Sequence, residues 1–235
     1  MGTRTNTNGT TILSHAVVIG LTALIPVPLV DDMVKSYFQR RLVRKLAAAN
    51  GRHLDPKDIE LLADDASGGG CVGCLFGAVV YPFTFLFRKI LFFLEMKRSI
   101  DTVSINAHRG FLIDHVLRSS WLAPEGRHAA PAVRSAIDYV IKDAPIRPVE
   151  VAVRQTFRQS RGVLFAAATL LWNSVKVLTR SSRPDEVSGV LEPLVEQEGE
   201  KVRGIVETLQ ASIDKIPAEH FDKLTGKLAA MLGER

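Results

Sequence analysis

Two long apolar runs, each interrupted by proline, constrain this chain more than any other feature. The first is Thr11 to Val30, TILSHAVVIGLTALIPVPLV, and the second is Cys71 to Phe87, CVGCLFGAVVYPFTFLF. A helix that crosses the hydrocarbon core of a bilayer needs roughly 20 apolar residues. The first run has that length, but Pro26 and Pro28 end a regular helix at about Ile25, because proline lacks a backbone donor and disfavours helix in the residue before it. The second run holds 17 residues without a charge, the lower limit for a span. Its Pro82 is tolerated in a membrane helix when neighbours satisfy the freed carbonyl. Arg88 and Lys89 close it, and Tyr81 with six phenylalanines between positions 76 and 93 suits a membrane interface. Shallow, hairpin-like insertion is the form these runs predict.

The helix between the runs is the most readable element. Asp32 to Asn50 carries Val34, Phe38, Leu42 and Leu46 at four-residue spacing, an apolar stripe of helical period. Arg40, Arg41, Arg44 and Lys45 fall in one sector beside that stripe, the pattern of a helix lying at lipid headgroups. The same pattern also describes a core helix with a solvated basic side. Asn50-Gly51 closes it. Downstream, helices are predicted at 56–62, 99–122, 131–141 and, as one long element, from about Glu150 to Arg180. Within the last, Val163 to Trp172 is uncharged, too short to span and expected in a core. Val187, Leu191, Leu194, Val202, Ile205 and Leu209 form a heptad-like pattern, and Phe221, Leu224, Leu228 and Met231 a shorter one. No stretch alternates convincingly enough for a strand. The fold class expected is all-α, a helical bundle with one or two membrane-inserting or re-entrant apolar helices and a C-terminal helical hairpin. Its parts are a polar tail at 1–10, a membrane-associated domain at 11–180 and an acidic amphipathic tail at 181–235.

Charge supports that division. The net charge is +5, but residues 184–235 hold eleven acids against six bases, leaving +10 on residues 1–183. A basic, apolar front points to an anionic partner. The bases flank apolar runs and no groove-reading motif occurs, so anionic membrane lipid is expected and nucleic acid is not. A protein partner or self-association is expected through 187–232. Two cysteines, Cys71 and Cys74, are too few for a disulfide framework.

Motifs that carry chemistry are sparse. Gly68-x-Gly70-x-x-Gly73 has dinucleotide-binding spacing but no strand before it. Gly69, Gly73 and Gly77 read instead as small residues on one helix face, where a second helix packs closely in lipid. Cys71-x-x-Cys74 lacks a second ligand pair for zinc. His108 and His115 share a helix face with Asp114 adjacent, but without the four-residue spacing of a zinc-protease helix. A metal enzyme built on His108, Asp114, His115, Cys71 and Cys74 is the minor alternative. A soluble interaction module with both apolar runs buried is another. No catalytic residue, cofactor or metal is expected.

His15–Gly51, HAVVIGLTALIPVPLVDDMVKSYFQRRLVRKLAAANG, resembles the opening of a helical bacterial domain of unknown function that often follows membrane-linked GTPase domains. The matching features are Ile25-Pro26-Val27-Pro28, Asp31 and the amphipathic helix to Gly51. There is a looser similarity to EcsC-type proteins, which are also helical and membrane-linked. The resemblance implies a membrane setting, the cytoplasmic face of a bacterial inner membrane, and supplies no catalytic residues. A non-enzymatic scaffold or accessory factor at that membrane is the expected function.

Overall fold

The computed structural model describes residues 8–24, 28–63, 88–124, 126–175 and 202–233. Its elements are α1 (Gly9–Thr22), α2 (Pro28–Ala49), α3 (Pro56–Ala63), α4 (Arg88–Arg118), α5 (Ala130–Asp143), α6 (Arg147–Gln159), α7 (Arg161–Val175), α8 (helical at 202–213) and α9 (Ala218–Leu232). The architecture is all-helical, and no strand occurs among the described residues.

Proline and glycine set the boundaries. α1 stops at Thr22, a turn earlier than the prolines alone require, and Pro28 occupies the first position of α2, where its missing N–H costs nothing. α2 ends where Asn50 donates its side-chain amide to the Leu46 carbonyl and Gly51 adopts φ +65°. Pro131 and Pro148 stand in the first turns of α5 and α6. The single long helix expected from Glu150 is two helices broken at Ser160, whose φ of −107° leaves the helical region. Ser160 and Gly162 flank the break, and both weaken a helix interior.

α1 is the buried axis of the fold. Eleven of its fourteen residues are buried, and it packs most extensively along α4, then against α2 and α7. Gly20 makes the α1–α4 approach: a Cβ there would stand 2.2 Å from Val103 Cγ2. Ser99 Oγ closes the same contact by donating to the Gly20 carbonyl at 2.8 Å.

Two apolar clusters result, with α4 passing through both. One gathers Leu13, Val17 and Ile19 of α1, Val103 of α4, Val153 and Phe157 of α6, Leu164 and Leu171 of α7, and Val202 to Leu209 of α8. The other joins Leu42 and Leu46 of α2, Leu62 of α3, Leu112 and Val116 of α4, Ile137 of α5, and Leu224 and Leu228 of α9. Among the described residues the C-terminal stretch is helical at 202–213 and again at Ala218–Leu232, the first helix sealing one cluster and Leu224 and Leu228 of the second the other. Val187, Leu191 and Leu194 of the first apolar pattern lie outside the described residues. Among the described residues no helix is long and apolar enough to cross a membrane. The run at 71–87, Cys71, Cys74, the series Gly69, Gly73 and Gly77, and the linker at 181–184 lie outside the described residues.

Candidate functional site

The four bases of α2 do different things. Arg40, about a third exposed, donates to the more exposed Glu60 of α3 at 2.7 Å. Arg41, half-buried, reaches the Tyr37 hydroxyl at 3.4 Å. Arg44 and Lys45 are exposed. Partial desolvation, aided by the neighbouring Arg41 charge, lowers the Lys45 ammonium from its ordinary range. Arg88 and Lys89 open α4, and their side chains lie outside the description.

Lys45 borders a cleft of about 190 Å³ where the start of α1 meets α2 and α8. Thr10, Thr11, Ser14 and His15 supply its other polar wall, and Val18, Phe38 and Val202 its apolar one. His15 is 5% exposed. Its Nδ1 stands 2.9 Å from the Thr11 carbonyl. A carbonyl only accepts, so Nδ1 carries the proton and Nε2 is left as an acceptor. That Nε2 is buried and has no hydrogen-bond partner. Burial, reinforced by the Lys45 and Arg41 charges, holds the ring neutral with a pKa lowered to about 4. A lone histidine inside an apolar run was the signal for this group, and sequence periodicity passes over it.

His108, Asp114 and His115 all sit on α4, but the fold sends them to three separate partners. Buried Asp114 accepts from Asn8 at 2.6 Å and Asn50 at 3.0 Å through Oδ1, and from Arg118 at 3.1 Å through Oδ2. It thereby ties the start of α1 and the end of α2 to α4. His115 stacks edge-on against Trp121, with ring centroids 5.0 Å apart. His108 donates Nδ1–H to the Ser104 carbonyl at 2.7 Å, and its Nε2 meets His220 Nε2 of α9 at 3.1 Å. No group of three His, Cys, Asp or Glu side chains gathers as a metal site among the described residues. A further polar knot, Arg134, donates to the Leu61 and Leu62 carbonyls at the end of α3 and to Asp138, which Arg109 also reaches.

The most distinctive surface is elsewhere. α7 is uncharged from Gly162 to Val175, and only one side of it is core. Leu164, Ala167, Ala168 and Leu171 are buried, whereas Phe165 is 63% exposed, Val163 46%, and Ala166 and Thr169 also face out. The outer side of α6 leads into it with Arg147, Val151, Arg154 and Arg158, all exposed, and Arg161 begins α7. Arg154 pairs with Glu150 one turn back. Basic side chains thus border an open aliphatic and aromatic strip. Compared with family models, curated proteins and solved structures, the chain matches none of them.

Proposed function

We propose that the protein is a non-enzymatic scaffold or accessory factor that associates peripherally with an anionic membrane, in the setting of the cytoplasmic face of a bacterial inner membrane that the resemblance of His15–Gly51 implies. The observation that carries this is the α6–α7 surface, where Phe165 and Val163 stand in solvent a few residues after exposed Arg158 and Arg161, with exposed Arg147 at the start of α6. Large apolar side chains grouped in the open mark a contact surface. Paired with bases they suit the boundary between headgroups and acyl chains. Arg44 and Lys45 of α2, and the run at 71–87 with Arg88 and Lys89 behind it, are the further elements assigned to that association. Self-association or a protein partner belongs, in this reading, to the acidic stretch 187–232.

Co-sedimentation with vesicles tests it. The full chain is expected to pellet with phosphatidylglycerol vesicles and not with phosphatidylcholine ones, and Phe165→Glu to weaken binding at least ~10-fold while leaving thermal stability unchanged. A wild-type chain that stays in the supernatant with anionic vesicles ends the proposal.

One observation favours a second reading, a helical interaction module whose α7 strip meets another protein. The described first part of the first apolar run, Thr11 to Thr22, is mostly buried in α1 against other helices. Under that reading Phe165→Glu removes a protein contact and wild type ignores both vesicle types.

A further inference from the structure

The cleft at the start of α1 is a second candidate site, remote in sequence from the α6–α7 strip. Three kinds of group meet there. Lys45 brings a positive charge, with no carboxylate among the lining residues. Thr10, Thr11 and Ser14 bring hydroxyls, and the first turn of α1 adds backbone N–H groups that have no helical carbonyl to bond. Together these favour an anion. His15 adds the opposite demand. Its Nε2 is a buried acceptor without a partner, and a buried polar atom left so is costly until something donates to it. An anion whose ionised oxygens are all engaged as acceptors by Lys45 and the helix start has no proton left to give. A ligand that satisfies every group therefore carries both a negative charge and a hydroxyl. Val18, Phe38 and Val202 offer the apolar wall for its carbon atoms.

Size narrows it further. The cleft's 190 Å³ slightly exceeds the engineered apolar cavity of about 150 Å³ that accepts benzene, so a ligand of roughly six to ten heavy atoms fits. We infer that this cleft binds a small hydroxylated phosphate ester of the glycerol phosphate type, its phosphate at Lys45 and the start of α1 and a hydroxyl donating to His15 Nε2. The group comes either from a free ester or from the head of a glycerol-bearing phospholipid. The inference stands without the α6–α7 reading.

Calorimetric titration of the full-length protein with sn-glycerol 3-phosphate tests it, with propyl phosphate as the analogue that keeps the charge and lacks the hydroxyls. Glycerol phosphate is expected to bind with a Kd of about 1 mM or tighter. Propyl phosphate should bind ~10-fold more weakly, because it leaves Nε2 unpaired. Lys45→Gln, at an exposed position that folding tolerates, should cost a similar ~10-fold. The ligand pair requires no change to the protein, so a folding defect cannot mimic the result. Absence of saturation by ~10 mM ester, equal binding of the two esters, or full binding by Lys45→Gln overturns the inference. Vesicles then separate the sources. If Lys45→Gln weakens binding to phosphatidylglycerol but not to phosphatidic acid vesicles, the lipid head is the ligand; if only the soluble ester responds, it is a free metabolite, and both results support the site. Phe165→Glu is expected to leave titration by the soluble ester unchanged, so a failure of the surface proposal and a failure of this one are told apart.

Discussion

Acid should destabilise this fold through two buried imidazoles, His15 and His108. Each is held neutral with a pKa lowered from 6.5 to about 4, in both cases chiefly by burial. For His108 the arrangement explains why protonation is resisted. Nδ1 already donates to the Ser104 carbonyl, so Nε2 accepts the proton of His220 Nε2 across 3.1 Å. A second proton on His108 sets two N–H groups against each other. His220 itself is lowered by burial and by Lys223. Because the folded pKa values are depressed, the unfolded chain takes up these protons first. The stability they contribute is complete above about pH 6.5 and is lost as pH falls from there towards 4. Between pH 7.5 and pH 5 each histidine accounts for about 2 kcal/mol, from 1.36 kcal/mol per unit of pKa difference and the protonation reached at pH 5. The pair removes about 4 kcal/mol from a total that for a chain like this is on the order of 5–15 kcal/mol. Glu95 and Asp101 act in the opposite direction. Burial raises both carboxyls, with Glu150 adding to the shift at Asp101, so they bind protons more tightly when folded and favour folding as pH falls. Comparing variants with wild type cancels their share. Urea unfolding followed by circular dichroism at pH 7.5 and pH 5 should show His108→Gln losing about 2 kcal/mol less than wild type over that interval, and His15→Gln the same. Imidazole NMR should find both rings neutral at pH 5. A His108→Gln variant with the full acid sensitivity of wild type, or rings titrating near 6.5, refutes the reasoning.

Two further perturbations probe what holds α4 in place. Gly20→Ala drives a methyl to within 2.2 Å of Val103 Cγ2, so it should cost about 1–3 kcal/mol by overpacking, and Val103→Ala in the same chain should recover part of the loss; a Gly20→Ala melting temperature equal to wild type would falsify the close α1–α4 contact. Asp114→Ala should cost about 3 kcal/mol, because Asn8, Asn50 and Arg118 lose one charged acceptor together. Arg118→Ala should cost under about 1 kcal/mol, because its guanidinium is 54% exposed. Equal costs for the two in urea unfolding would show that Asp114 matters only through that ion pair.

The helical content and the inward face of α2 were legible in the sequence, since period alone places a stripe: Val34, Phe38, Leu42 and Leu46 are all at most 4% exposed. The destination of an apolar run was not. Hydropathy reports that Thr11–Leu24 avoids water and is silent on whether protein or lipid receives it. Fourteen helical residues rise only ~21 Å, short of a ~30 Å hydrocarbon core, and α4 beside it is long enough to cover it. The break at Ser160 escaped notice because Ser and Gly interrupt a helix by small propensity costs that a strong apolar pattern masks. The site residues fell between these cases. His108 was visible, but its partner His220 lies 112 residues away and no local pattern joins them. Arg40 and Arg41 were read with Arg44 and Lys45 as one basic sector, and helical period gives no sign of the contacts Arg40 makes with Glu60 and Arg41 with Tyr37.

α7 shows the same ambiguity resolved the other way, and its energetics say what kind of membrane contact the proposal allows. Its uncharged stretch resembles α1 in composition, yet only four of its residues with described side chains are buried. Transferring a phenylalanine side chain from water is worth about 2 kcal/mol and a valine somewhat less. With Phe165 already about a third covered and Val163 about half, the two together offer roughly 2 kcal/mol. Each arginine near an anionic surface adds about 1 kcal/mol, and Arg147, Arg158 and Arg161 bring the sum to roughly 5 kcal/mol. That corresponds to a Kd of about 0.2 mM, which is reversible adsorption and far from insertion. Lasting residence therefore requires a second contribution, from the run at 71–87 or from headgroup capture at the Lys45 cleft. Phe165→Glu alone should then weaken adsorption by the described domain at least ~10-fold while leaving any deeper anchor in place. Salt distinguishes the two components, because the arginine share falls with ionic strength and the apolar share does not. Binding that survives both Phe165→Glu and ~1 M salt assigns the remaining affinity to 71–87.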